Sequence, residues 1–322
     1  MEHYSIIAPH CQNRKKYLQK HFKSFKIQAM LNLGFRAHDF GKFASSKDLA
    51  LTAASFREKT CLHFAPYKAL ENVPKPLTPE WAQNVQKDLD NAGIRVAILG
   101  CYINPVHPDP EKRESQLQIF ENGLDLAHEL KNPIVATETG SLDAKNVRCE
   151  DTWTDKNFTI FLNIIERLLN RAVKNNVTMA IEAVADKNTI DTPQRMLKVM
   201  KTFESPNLRV LFDAVNILPI NGVDNYEVYY DEAVSMLSPY ICAMHLKDFV
   251  WASSLSEFPF AKGPVKNGTI PIGEGLMPWK TIFGIYKKYK VDTVPMTLEN
   301  FNPATLKKSL EFVENTYAQA NK

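Results

Sequence analysis

Residues 177–184 read VTMAIEAV and residues 208–215 read LRVLFDAV, two short apolar runs that each carry one acidic residue near the end. Runs of this length, rich in Val, Ile, Leu and Phe and apolar at consecutive positions, fit strands covered on both faces, as in a parallel sheet. The same pattern recurs at 241–248 (ICAMHLKD) and 294–301 (VPMTLENF), and upstream at 31–39 (LNLGFRAHD), 61–66 (CLHFAP), 94–103 (IRVAILGCYI) and 133–140 (PIVATETG). That makes eight strands. Between them lie stretches of helical period. In PEWAQNVQKDLDNAG, from Pro79, Thr78 is placed as N-cap, Pro79 as first helical residue and Gly93 as terminator. KNFTIFLNIIERLLNRAVKNN starts at Lys156 with Thr154 or Asp155 as cap, and further helical stretches begin at Glu111, Thr192, Tyr226 and Pro278. Strands alternating with helices predict an α/β fold, and eight in succession predict a single closed (β/α)8 barrel over residues 31–322 rather than an open doubly wound sheet.

Of the 322 residues, 44% are hydrophobic and 23% charged, which excludes a disordered chain. The formal net charge of +3 is unevenly placed. Residues 1–30 hold six basic residues (Arg14, Lys15, Lys16, Lys20, Lys23, Lys26) against Glu2 alone, and read as a basic N-terminal extension. The rest has 33 basic and 35 acidic residues, a mildly acidic barrel that does not look like a nucleic-acid partner. Five cysteines (Cys11, Cys61, Cys101, Cys149, Cys242), without a CxxC pair, fit a reducing compartment and weigh against a thiolate zinc site. No apolar run approaches the roughly 18 residues of a membrane span, and the polar N-terminus is unlike a secretory signal. The expectation is a cytoplasmic protein with no membrane partner. Neither GxGxxG nor GxxxxGK[ST] occurs, which disfavours a Rossmann or P-loop function.

Four of the runs end alike: Ile181-Glu182, Phe212-Asp213, Met244-His245 and Leu298-Glu299. Each places an ionisable group directly after a buried strand, where an unpaired charge is costly. A single acid there is ordinarily a helix cap or an ion-pair partner. Four on consecutive strands of a barrel surround one mouth, where such folds keep their chemistry. Glu182 to Asp213 is 31 residues and Asp213 to His245 is 32, each about one βα repeat, whereas a long loop is expected within the 54 residues from His245 to Glu299. Three carboxylates and an imidazole form a hard donor set suited to one divalent ion, Mn²⁺, Mg²⁺ or Co²⁺, with Zn²⁺ as a further candidate.

IEAV, LFDAVN, MHLKD, PIGEG and TLENF, in this order, resemble the xylose isomerase-like barrel superfamily of sugar isomerases and epimerases, which also contains endonuclease IV. The resemblance spans residues 31–316 and is strongest from Val177 onward. It implies a single divalent ion held by Glu182, Asp213, His245 and Glu299, with Glu182 and Glu299 transferring protons through a cis-enediolate. The implied activity is a metal-dependent sugar or sugar phosphate isomerase or epimerase. An inosose or polyol dehydratase is the enzymatic alternative, and an endonuclease IV-like nucleic-acid binding or repair protein the alternative of another class.

Departures from these relatives narrow the choice. Where endonuclease IV has further ligands of a trinuclear zinc site, a His three residues after the strand-six Asp and an Asp-x-His before the GEG, this chain has Asn216, and Asn267 with Thr269, which argues against DNA cleavage. The 3-epimerases place a substrate-contacting His at position 216 and an Arg at position 251, where Asn216 and Trp251 stand. Further mouth candidates for substrate binding are Asn216, Lys247, Arg36, His38, Glu138 and His107. Asn104 also follows the third strand. Lys247 is expected either to touch substrate or to pair with Asp248. His107, in a PVHPDP loop, reads first as a shaper of backbone. Arg36, His38 and Lys247 together would supply positive charge for a phosphorylated or acidic sugar. The expected partner is a small-molecule sugar or sugar phosphate, and the reading is compatible with a homo-oligomer.

Overall fold

The computed structural model describes residues 31–254 and 264–320. The basic extension of residues 1–30 lies outside the described residues. Ten strands follow in chain order: β1 (Leu33–Arg36), β2 (Cys61–Phe64), β3 (Arg95–Gly100), β4 (Ile134–Glu138), β5 (Met179–Glu182), β6 (Leu208–Asp213), β7 (Ile241–Leu246), β8 (Asp248–Ala252), β9 (Val265–Ile270) and β10 (Met296–Leu298). Eight of them, β1 to β7 and β10, close a parallel barrel in that order, with β10 pairing back onto β1. All eight apolar runs are its strands. A helix of ten residues or more follows each barrel strand, so the chain is a (β/α)8 barrel.

The helices begin where local chemistry starts them. Thr78, Thr154, Thr192 and Asn225 each accept a hydrogen bond from the main-chain N–H three residues on, which satisfies one of the donors a helix start leaves free. Gly93, at φ +68°, ends the helix Pro79–Asn91. Helix Asp155–Lys174 buries Phe158, Phe161, Ile165, Leu168 and Ala172, spaced three and four apart, against the barrel. Among the described residues, no helix is long and apolar enough to cross a membrane.

The barrel interior sets the floor of the mouth. One buried cluster draws Cys61, Ala97, Ala136, Ala180, Leu211 and Ala243 from six successive strands. Side chains two apart on a strand share a face. Cys61, Ala136, Ala180, Leu211 and Ala243 therefore lie one layer below His63, Glu138, Glu182, Asp213 and His245.

The span between His245 and Glu299 is not simply a long loop. It contains an antiparallel ribbon of β8 and β9 followed by the helix Trp279–Lys288. The ribbon is tied down twice. The buried ammonium of Lys266, on β9, donates to the carbonyls of Val215 and Leu218, on either side of Asn216. Asp248 accepts from the N–H groups of Phe249, Gly273 and Met277, at 3.0, 3.1 and 2.8 Å. MHLKD and PIGEG are thus two halves of one lock, because the GEG turn folds its N–H groups onto the aspartate that ends H-x-K-D. Gly275 allows the approach, since a Cβ there would lie 2.3 Å from Asp248 Oδ1 and 2.4 Å from Phe249 O. Gly275→Ala is expected to destabilise the fold by about 1–3 kcal/mol, as overpacking does. Denaturant unfolding checks this, and a shift within about 0.5 kcal/mol, typical of an inconsequential surface change, would contradict the lock.

Candidate active site

Glu182 ends β5, Asp213 ends β6, His245 is the penultimate residue of β7 and Glu299 follows β10. Strand register carries them to one level, with Asp213 opposite His245 and Glu138 opposite Glu182. All four are at most 3% exposed. The Nδ1 atom of His245 lies 3.4 Å from Glu182 Oε1, 3.5 Å from Asp213 Oδ2 and 3.3 Å from Glu299 Oε1. The four residues read from the strand ends are thus brought together around a single ring nitrogen.

Neighbouring groups fix each carboxylate. Asp213 Oδ1 accepts from the N–H groups of Val215 and Asn216, both at 2.9 Å, which leaves Oδ2 toward the centre. Asn216 donates its amide to Glu182 Oε1 at 2.7 Å. The Lys247 ammonium lies 2.7 Å from Asp213 Oδ2 and 3.2 Å from Glu299 Oε2. Its ion pairs are therefore with these two carboxylates and not with Asp248, whose oxygens serve the GEG lock. Arg36 Nη1 lies 3.3 Å from Glu299 Oε2, while the same guanidinium is clamped by Asp39 and accepted by Asn300.

Burial and mutual charge pull the centre in opposite directions. Burial pushes the Glu182 carboxyl up, to about 7, against the pull of His245 and Lys247. Burial opposes a charged His245, yet the Glu299 and Glu182 carboxylates raise it to about 10. Glu299 is held well below the usual carboxylate range because His245, Arg36 and Lys247 outweigh its burial. With the His245 ring neutral and Glu182 ionised, as ligands to a metal would be, four carboxylates (Glu182, Asp213, Glu299, Asp39) face two permanent cations (Arg36, Lys247), which leaves two negative charges. A divalent cation is the complement. Donors about 2.0–2.2 Å from a metal and spread toward tetrahedral angles stand about 3.4 Å apart, which the His245 spacings match. The residues present fit such an ion.

His63, on β2, is the member of this centre that the strand ends do not reveal. It is fully buried, its Nδ1 lies 3.3 Å from Glu299 Oε1, and its ring stacks on that of His245 at 4.9 Å and 4°. Burial lowers its pKa to about 4, so the ring is neutral near pH 7. Gly100 makes its space, since a Cβ there would fall 2.6 Å from His63 Nε2. The available sequence signal is parity: His63 stands two residues beyond Cys61, within an apolar run.

A cavity of about 450 Å³ opens over the centre. Arg36, His38, Glu138, His107, Lys247 and Asn216 all line it, together with Glu182 and Glu299. Their duties differ. Asn216 serves Glu182, Glu138 accepts from Asn188 at 3.1 Å, and His107 Nδ1 accepts from the Asp109 N–H at 3.1 Å, which shapes its own loop. Asn104 likewise builds backbone, donating to the Ser141 carbonyl and accepting from the Val106 N–H. The three groups expected to meet an anion all line this cavity. Arg36 and Lys247 are occupied by carboxylates, and His38 is kept neutral, near 3, by burial and by Arg36 beside it.

With this geometry in place, the comparisons agree on the fold. The sequence model of the xylose isomerase-like TIM barrel family matches residues 61–316, and the chain belongs to that family. No curated protein matches the sequence significantly. Among solved structures, D-psicose 3-epimerase from Clostridium cellulolyticum H10 is similar at 13% identity and TM-score 0.65, over 89% of this chain and 99% of that one. The probable 3-DHS dehydratase AsbF from Bacillus anthracis is similar at 14% identity and TM-score 0.64, over 90% and 100%. A xylose isomerase-like TIM barrel protein from Mycobacterium smegmatis, in complex with magnesium, is similar at 16% identity and TM-score 0.60, over 90% and 95%.

The contact between His63 and Glu299 gives a direct expectation. His63→Phe keeps an aromatic ring over His245 but removes the group facing Glu299; if the centre takes a divalent ion, its binding, probed with Mn²⁺, is expected to weaken about 10–100-fold. Calorimetric titration measures this, and unchanged affinity in a folded variant would show that the contact does not matter.

Proposed function

We propose that this protein is a divalent-metal-dependent enzyme acting on a sugar or sugar derivative, and that it transfers a proton at a carbon beside a carbonyl group, as an isomerase or epimerase. The observation that carries the reading is the ring nitrogen of His245 set 3.3–3.5 Å from three carboxylate oxygens beneath a polar cavity. In this reading Glu182, Asp213, His245 and Glu299 hold one divalent ion, with Mn²⁺, Mg²⁺, Co²⁺ and Zn²⁺ as candidates. Such an ion would polarise a carbonyl bound to it and so acidify the neighbouring C–H.

The chain's own residues do the rest. Glu182 and Glu299 both line the cavity. They project from β5 and the end of β10, with β6 and β7 between them, and so approach a bound molecule from different sides. Burial pushes the Glu182 carboxyl up, and a divalent ion beside it would hold it as the carboxylate, the form that removes a proton. Asn216 holds Glu182 Oε1 in position, while Lys247 and Arg36 keep Glu299 ionised. If each glutamate serves one face, the outcome is epimerisation; if one returns the proton to the adjacent carbon, it is isomerisation.

The resemblance to a probable dehydratase keeps elimination of water as the second reading, since it begins with the same proton removal. A trinuclear nuclease site is disfavoured, because the Asn216 amide is engaged with Glu182 and the Asn267 carbonyl oxygen accepts from Thr269.

The test is turnover of a panel of ketoses, ketose phosphates and inososes in D₂O by the Mn²⁺-loaded protein, followed by NMR. Deuterium incorporation without loss of water marks the isomerase or epimerase, and an unsaturated or deoxygenated product marks the dehydratase. Glu182→Gln is expected to lower kcat about 10²–10⁴-fold. Full turnover by that variant on the best substrate would remove Glu182 from proton transfer.

A further inference from the structure

The cavity over the centre is also lined by two lysines that the reaction described above does not use, Lys68 and Lys145. Both are exposed, Lys68 in the short helix Pro66–Ala69 after β2 and Lys145 in the loop after β4. The Lys68 ammonium rests over the ring of Tyr102, 5.3 Å from its centroid, and Tyr102, after β3, lines the same cavity. Barrel closure places β2, β3 and β4 four positions around from β6, β7 and β10. Lys68, Tyr102 and Lys145 therefore stand across the mouth from Asp213, His245 and Glu299.

What separates these lysines from the other cations of the cavity is the lack of a counter-charge. Arg36 is committed to Asp39 and Glu299, and Lys247 to Asp213 and Glu299. Among the described residues, neither Lys68 nor Lys145 has an ion-pair partner, and the remaining carboxylate lining the cavity, Glu138, is hydrogen-bonded to Asn188. On the same side, His38 Nδ1 is buried without a hydrogen-bond partner and Asn146 Oδ1 likewise. A neutral sugar could serve these two atoms with its hydroxyls, but it would leave both cations without a counter-charge. Two lysines without a counter-charge lining one polar cavity match an anionic oxygen cluster, through charge-assisted hydrogen bonds.

We propose that Lys68 and Lys145 form a subsite for an anionic group on the substrate, a phosphate ester or a carboxylate, at the end of the molecule away from its reacting carbonyl. This rests on the metal-dependent sugar reading and specifies its substrate class. It also moves the source of positive charge from the ends of β1 and β7 to the loops after β2 and β4.

The probes are inorganic phosphate and acetate, titrated calorimetrically into the full-length, Mn²⁺-loaded protein, its Lys68→Met and Lys145→Met variants and the double variant. Phosphate or acetate is expected to bind the unmodified protein, at least tenfold more weakly in each single variant and not measurably in the double variant, with Mn²⁺ affinity unchanged in all four. The tighter probe distinguishes a phosphate from a carboxylate substituent. Equal binding by the unmodified protein and the double variant would place the anion elsewhere and overturn the subsite, as would the absence of binding by either probe. Failure of the metal reading is distinguishable: the unmodified protein would then fail to bind Mn²⁺. Intact Mn²⁺ binding and turnover of a neutral ketose, without any lysine-dependent anion binding, would sink the subsite alone.

Discussion

Three carboxylates gathered around the Nδ1 of His245, on strand ends the solvent hardly reaches, repel one another, and the rest of the mouth is arranged around that repulsion. Two unit charges about 4 Å apart interact by about 4 kcal/mol at the effective dielectric of a protein site, so the cluster needs positive charge to persist. Lys247, between Asp213 and Glu299, and Arg36, against Glu299, supply part of it. Counting Asp39, which also pairs with Arg36, and with His245 neutral and Glu182 ionised as metal ligands would be, they stop two charges short. That shortfall, together with the donor spacing, makes a divalent cation the natural complement of the cluster.

Keeping the cluster aligned occupies residues with no place in the chemistry itself. Asp39 and Asn300 tie Arg36 across the closure of the barrel, where β1 meets β10. Lys266 reaches from β9 to the turn that carries Asn216, and Asn216 in turn holds Glu182. The ribbon after β7 thus reaches the centre through the β6 turn, and the Asp248 lock fixes where that ribbon starts. Beneath the site, the layer of the barrel interior is mostly apolar, and the site's side chains largely satisfy one another.

Much of this is legible in the sequence, because it is written in local patterns. The eight strands follow from short apolar runs, and Thr78, Thr154 and Thr192 mark helix starts that the structure keeps. Glu182, Asp213, His245 and Glu299 were visible because each interrupts a run at its end. His63 is hidden inside a run, and only the two-residue step from Cys61 shows that it shares the inward face. The β8–β9 ribbon escapes because β9, VKNGTI, carries no apolar run to mark it as the partner of β8. Pairings across the mouth escape for a different reason. Whether Lys247 meets Asp248 or Asp213 depends on closure of the barrel, and Lys68 and Lys145 are ordinary loop lysines until closure gathers them around one cavity.

The central claim is that the buried charge of this mouth is arranged for one divalent ion. Anomalous diffraction from crystals of the full chain soaked in Mn²⁺ tests it most directly. One strong peak is expected within bonding distance of His245 Nδ1 and of oxygens from Glu182, Asp213 and Glu299. A mouth without a peak at saturating Mn²⁺, with Lys247 still seated between Asp213 and Glu299, would contradict it.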